Sequence, residues 1–377
     1  MTQRVILWGT YDLGKPRTRI MRAALIDAGY DVVEIHASVW NGVADKSQLT
    51  ATGWLARSLR WIFSYPGLIW RYLCAGDHDA VIVPYMGHFD APMIALCAKL
   101  RGKPLIWDAF LSLYDTLVRD RRLIGPAHPA ARVIRLWEGL ACRCADRIVL
   151  DTDAHADMIR DLYDLDEHKM AAVFVGAEPN AFTAAAQLPS PAAKPLRVLF
   201  YGQFIPLHGV LTILGAAKLA RDLPIEWEII GTGQEADSFR SALDDADLPW
   251  LHWTDWTEYH ELNNKITEAD LCLGIFGTSE KAARVIPNKV FQTIAAGKPL
   301  ITRDSPAMRE LIGEQDEGVQ LVPPGDPAAL LDAVNRFATL DPGFRPATDA
   351  IAQRFSAAAL AERWRQIVEA TIAEDAT

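Results

Sequence analysis

Residues Arg284 to Pro299, RVIPNKVFQTIAAGKP, carry the residue types best suited to holding a phosphate. Pro287 precedes Asn288, a good N-cap type, while Val290, Phe291, Ile294 and Ala295 recur on one helical face. Gly297 supplies a stop and Pro299 prevents continuation, so a short helix is expected whose N-terminus lies at Ile286, Pro287 and Asn288. Arg284 and Lys289 bracket that start. Free backbone N–H groups, the helix dipole and two cations together suit a diphosphate. The same pattern also describes an ordinary capped helix with solvated charges, so the surroundings must choose.

Other chemistry-bearing residues sit where apolar runs end. Gly9-Thr10 opens a loop that reaches Arg17 and Arg19, either a phosphate or acceptor loop or solvated first-turn charges. That loop lacks the GxGxxG spacing of a dinucleotide site, which argues against NAD. His88 follows another run, as a rim or a core histidine. Asp108 ends a further one, placed either to face a ligand or to cap the next helix. Farther on come Gly202 and Gln203 with His208, then Gly231 and Gly233, where the backbone can approach a ligand. Trp253 and Trp256 flank Asp255; an aromatic and a carboxylate at a strand end suit a nucleobase, and Trp suits plain packing equally.

The elements that must position these residues are apolar runs alternating with helical patterns. Strands are expected at 5–9, 31–37, 80–85, 104–109, 147–152 and 171–176, then at 196–202, 227–233, 250–253, 271–277, 299–304 and 319–323. Continuous rather than alternating apolarity is the pattern of parallel strands covered on both faces. The fold class is therefore α/β, with two doubly wound parallel-sheet domains facing across a cleft, and ligands are expected outside the carboxyl ends of the strands. The expected boundaries are a first domain over 1–180, a linker over 181–195 with three prolines, a second domain over 196–355, and a final helix over 356–377 that packs across the joint.

Composition narrows the function. Residues 1–180 hold 21 Lys+Arg and 21 Asp+Glu, whereas 181–377 hold 17 and 27, so the whole net charge of −10 lies in the second part. A nucleic-acid binder usually shows a basic excess. Five unpatterned cysteines argue against zinc and for a reducing compartment. No apolar run reaches ~18 residues, and the N-terminus lacks a signal-peptide pattern, so a cytoplasmic location is expected.

Taken in order, LCLGIFG, IPNKVFQTIAAGKPLITRDSPAMREL and GVQLVPPGDPAALLDAV over 271–334 resemble the family 4 retaining glycosyltransferases, in their envelope and exopolysaccharide branch. The resemblance implies a GT-B fold, a second domain that binds a UDP- or GDP-sugar, a first domain that holds a glycan or polyprenyl-linked acceptor, and no metal or cofactor. It also implies where this chain departs. Gln203 and His208 stand where the family carries Arg and Lys, Arg284 and Gln292 stand at its two spaced glutamates, and Asp108 stands near its first-domain histidine. Leaving-group charge would then fall to Arg284 and Lys289, with Asp108 orienting the sugar or acceptor. The lost glutamates leave open a non-catalytic partner subunit, and a sugar-nucleotide epimerase is the alternative within the fold.

Residues 55–73, LARSLRWIFSYPGLIWRYL, mix aromatics with Arg57, Arg60 and Arg71 and hold no acid. Such a segment suits an anionic membrane interface, or packing on the first sheet. Arg119, Arg121, Arg122, Arg132 and Arg135 form a second basic cluster in the sequence.

Overall fold

The computed structural model describes residues 2–39, 51–178, 181–182, 195–313, 318–338 and 348–375, the side chains of 51–59 and 260 excepted. The chain folds into two compact units. The first contains β1 (Arg4–Gly9), β2 (Asp31–His36), β3 (Ala80–Val83), β4 (Leu105–Phe110), β5 (Arg147–Leu150) and β6 (Met170–Ala172). They pair in parallel in the order β2-β1-β3-β4-β5-β6. Its helices are α1 (Pro16–Asp27), α2 (Ala51–Leu73), α3 (Asp90–Leu100), α4 (Pro129–Cys144) and α5 (Asp153–Tyr163). The core is Trp8, Val81, Trp107 and Ile148 with their neighbours, all essentially inaccessible.

The second unit contains β7 (Leu196–Tyr201), β8 (Ile225–Ile230), β9 (Leu251–Thr254), β10 (Leu271–Leu273), β11 (Leu300–Arg303) and β12 (Val319–Val322), in the parallel order β12-β11-β10-β7-β8-β9. Between them run α6 (Val210–Leu219), α7 (Ala236–Asp244), α8 (Tyr259–Glu268), α9 (Glu280–Arg284), α10 (Asn288–Ala295), α11 (Pro306–Ile312) and α12 (Pro327–Ala338), followed by α13 (Asp349–Gln353). Phe200, Trp227 and Leu273 lie at the centre of its core. The last helix, α14 (Ala357–Asp375), belongs to the first unit. It packs on α1 and is tied down where Arg147 meets both Glu374 oxygens at 2.8 Å.

Every expected strand is present, and several stop earlier than their apolar runs, β3 and β10 among them. β3 ends at Val83 because Pro84 has no N–H to give the ladder. β10 ends at Leu273 because the Ile275 N–H leaves the ladder for Thr302 Oγ1 at 3.1 Å. A Cβ on Gly274 would stand 2.3 Å from that same oxygen. The units also divide the chain differently from a simple split near 180. Arg119–Leu123 and the residues from Gly176 count with the second unit. Asp120 accepts from Ser279 Oγ at 2.7 Å, and the Arg121 carbonyl accepts from Gln234 at 2.9 Å, which holds the short segment there. Residues 183–194 of the expected linker lie outside the described residues.

Candidate functional site

Strand order reverses between β7 and β10 in the second sheet, and ligands of doubly wound sheets bind at such a switch point, beyond the strand carboxyl ends. Gly202 follows β7, and the loop after β10 leads through α9 to α10. The first turn of α10 has no side-chain cap: Pro287 occupies the N-cap position, with Asn288 one residue later than expected, inside the helix. The helices on either side differ. Ser279 Oγ caps α9 and Ser305 Oγ caps α11. An uncapped N-terminus keeps its N–H groups for another acceptor.

Lys289 lies in that first turn and is 4% exposed. Its Nζ has no hydrogen-bond partner among the described residues. It stands 3.8 Å from the centroid of the Phe200 ring, a cation–π contact that offsets only part of the cost of burying a charge. Burial accordingly holds its pKa well below the ordinary lysine value. His208 is buried beside it. Burial, reinforced by the Lys289 charge, keeps that imidazole well below the usual histidine range, and its Nδ1 pairs with the Gln203 carbonyl. Both side chains converge on Gly202, where a Cβ would meet Lys289 Nζ at 2.8 Å and His208 Cε1 at 3.1 Å. Its φ of +144° also suits glycine alone.

The other expected donor residues are placed around this centre. Gln292 is buried on α10 and accepts from Tyr201 Oη at 3.0 Å. Ile286 is buried just before the helix. Arg284 is paired with the exposed Glu280 at 2.9 Å, so its charge is already matched. Trp256 is exposed beyond β9, whereas Trp253 packs on Phe204 and donates to the Gly231 carbonyl at 2.9 Å. Gly231 and Gly233 make room for protein backbone: a Cβ on Gly231 would stand 1.9 Å from the Gly202 carbonyl, and one on Gly233 would stand 2.8 Å from that of Phe204. The loops after β7 and β8 pack closely at these two glycines.

One cation was missed by position. Arg121 read as part of a basic cluster with Arg132 and Arg135, yet it lies in the second unit, 3.4 Å from Gln203 Oε1, and its charge adds to the downward pull on His208. Only tertiary contact shows this, since Arg121 and Gln203 are far apart in the chain.

At the carboxyl ends of the first sheet every expected residue is engaged. Asp108 is fully buried and receives Arg17 through Nε at 3.1 Å and Nη2 at 2.7 Å. Burial pushes its carboxyl pKa up and Arg17 pulls it back. Arg17 also donates to the Val173 carbonyl at 2.6 Å, so the pair binds α1 to the sheet. Asp108 thus has Arg17 as a partner for each oxygen and no exposure. Thr10 gives its N–H to Asp90 at 2.8 Å, and a Cβ on Gly9 would strike the same carboxylate. His88 is a core histidine, 3.1 Å from Glu138. Glu138 also accepts from Ser112, from the Leu113 N–H and from Tyr163; burial works against its ionised form, but these bonds hold its pKa below the ordinary value.

Residues 195–339 match the family described as glycosyl transferases group 1, a span that includes the whole Gly202–Lys289 site. No curated protein sequence matches the chain. Among solved structures, HepE of Anabaena in complex with UDP superposes with a TM-score of 0.63 at 14% identity, covering 98% of this chain and 99% of that one. The lipopolysaccharide outer core galactosyltransferase WaaB, in its apo form, gives 0.65 at 16%, covering 98% and 99%. Sucrose-phosphate synthase from Thermosynechococcus elongatus gives 0.62 at 15%, covering 98% and 95%. The fold is that of two-domain GT-B glycosyltransferases.

Proposed function

We propose that the chain transfers a sugar from a nucleotide-diphosphate donor to a glycan or polyprenyl-linked acceptor. The observation that carries this reading is Lys289: a buried cation without a hydrogen-bond partner among the described residues, in the uncapped first turn of a helix at a switch point. A diphosphate supplies the missing charge and accepts from the free N–H groups. As the bond to the sugar breaks, negative charge gathers on the leaving diphosphate, and fixed positive groups lower that barrier. Lys289 is the principal such group, with Arg121 contributing from the Gln203 side. Gly202 lets a phosphate approach the backbone, and Trp256 is free to stack on the base. The family match and the UDP in the HepE structure support a nucleotide-sugar donor.

Retention follows if the acceptor hydroxyl enters on the face of the leaving phosphate, which then takes its proton. That step calls on no side-chain nucleophile and no metal. The Arg17–Asp108 pair leaves the charge work to the second unit.

A second reading has a specific observation behind it. Arg284 pairs with Glu280 and Gln292 with Tyr201, so both positions that the resemblance gives to sugar-binding glutamates are occupied by other contacts. A subunit that binds nucleotide without turnover would look like this.

A thermal-shift screen with UDP, GDP and their sugars tests the binding. The matching nucleotide raises Tm by mass action, and Lys289→Met abolishes the rise. No shift with any nucleotide would overturn the donor site. Release of free nucleotide on adding an acceptor separates transfer from binding alone.

A further inference from the structure

We infer that Arg303 is a positioning residue for the site around Gly202, His208 and Lys289, acting through the backbone of the loop that joins β10 to α9. Its kinetic consequence rests on the transferase reading, but its coupling to His208 can be measured with no nucleotide present. Arg303 is the last residue of β11 and is 7% exposed. Its Nη1 donates to the Gly277 carbonyl at 2.5 Å and to the Ser279 carbonyl at 3.3 Å, and its Nε donates to the Asp304 carbonyl at 3.3 Å. The neighbouring carboxylate of Asp304 is engaged elsewhere, receiving Arg309 at 2.8 and 2.6 Å. Burial pulls the Arg303 pKa below the ordinary arginine value, and Asp304 draws it back only in part. A guanidinium buried on carbonyls, with no carboxylate bonded to it among the described residues, fills space less favourably than an apolar side chain would. What it does instead is fix backbone beyond the carboxyl ends of the strands.

The fixed loop leads directly to His208. Gly277 gives its carbonyl to Arg303 and its N–H to the Leu207 carbonyl at 3.2 Å, while the Phe276 N–H donates to the His208 carbonyl at 3.0 Å. Two glycines let these backbones touch. A Cβ on Gly277 would stand 2.3 Å from the Pro206 carbonyl oxygen, and one on Gly209 would stand 2.5 Å from the Gly277 nitrogen. The single turn Pro206–His208 is thereby seated on the loop that Arg303 holds. From that turn the His208 ring reaches the Gln203 carbonyl and the edge of Gly202. The charges that act on the ring are those of Lys289 and Arg121, so Arg303 reaches it through backbone contact.

The second unit holds a natural control. Lys298 is fully buried, and its Nζ donates to the Thr267 and Ala269 carbonyls at 2.6 and 2.8 Å. The chemistry is that of Arg303, a buried cation on two backbone carbonyls. The place differs: those carbonyls precede β10, at the amino end of the strand, whereas Arg303 grips the loop that follows it. Loss of either cation strands carbonyls that were bonded. Only loss of Arg303 frees the loop under His208.

The test is an NMR titration of the His208 imidazole in the nucleotide-free protein, with isotope-labelled histidine. In the wild type the ring stays neutral well below the ordinary histidine value. In Arg303→Met the loosened loop admits water, and the ring titrates nearer the ordinary value of ~6.5. Arg303→Lys restores the wild-type titration, because one ammonium, like Nη1, can donate to both carbonyls. Lys298→Met lowers Tm but leaves His208 as it is in the wild type. Gly277→Ala shifts His208 as Arg303→Met does, and the double variant shifts it no further, since both break one chain of contacts. Turnover of a nucleotide-sugar falls ~10²-fold in kcat/KM for Arg303→Met and much less for Lys298→Met. Should Arg303→Met not fold, Arg303→Gln takes its place, with the same shift in smaller measure. A His208 titration unchanged by loss of Arg303 overturns the inference, as does an equal shift in Lys298→Met, which would mark general loosening. If His208 responds as stated but no nucleotide binds, the positioning stands and the transferase reading falls.

Discussion

The carboxyl ends of both sheets bury charge, Arg303 of the second donating to the Gly277 carbonyl, but they differ at Lys289. In the first unit Asp108 meets Arg17, Glu138 meets His88 and Tyr163, and Asp90 meets Thr10 and Tyr65. In the second, Lys289 is buried against Phe200 with no hydrogen-bond partner among the described residues. A buried charge with its partners in place holds structure together. One without them costs stability, and that cost is recovered when an anion arrives. The contrast separates a framework from the proposed binding site more sharply than residue type does, since the sequence offers Arg, Asp and His at both places.

Removing Asp108 attacks the framework side and has the largest expected effect. Asp108→Ala strands the Arg17 guanidinium in the core and lowers stability by about 3–5 kcal/mol in urea unfolding. A loss below ~1 kcal/mol, the range of an exposed pair, would mean that the pair is no framework.

On the binding side, Lys289→Met is expected to do the reverse. Without nucleotide the variant is as stable as wild type or more so, while turnover falls by ~10²–10³ if the lysine stabilises the leaving diphosphate. A destabilised variant with normal kinetics would erase the distinction between the two units.

The pH response sharpens the same point. In the folded chain Lys289 titrates below its unfolded value, so the unfolded state binds the extra proton. Stability of the nucleotide-free protein therefore rises with pH between the depressed value and the ordinary lysine value of ~10.4. Nucleotide binding takes up a proton in that window, and affinity falls as pH rises. Calorimetry in buffers of different ionisation heat reads the uptake, which Lys289→Met should abolish.

The smallest effect is expected at Arg284. Its charge is matched by the exposed carboxylate of Glu280, so Arg284→Ala should lower turnover only a few-fold. A loss as large as that of Lys289→Met would show that Arg284 leaves Glu280 for the diphosphate.

Much of the fold was legible. Continuous apolar runs such as VILWG and LRVLFYG suit strands buried on both faces, and their alternation with helices leaves a doubly wound parallel sheet as the simplest arrangement. The short helix before Gly297 was legible for the same reason: its start, apolar face and stop are all local. The roles of the charged residues were not. Asp108 at a strand end looks the same in sequence whether it faces a ligand or a buried arginine that lies 91 positions earlier.

By itself, then, the sequence determined both sheets, the helix at Asn288–Ala295 and the phosphate-suited residues around it, because periodicity, capping types and glycine stops act over a few residues. Tertiary structure alone decided which charges are matched and which are waiting. Arg17 is taken up by Asp108, Arg284 by Glu280, and Arg121 is drawn into the second unit beside Gln203, while Lys289 is left without a hydrogen-bond partner among the described residues. The physical reason is that the free energy of a buried charge depends on partners brought together across the chain, and spacing along the sequence carries no record of them.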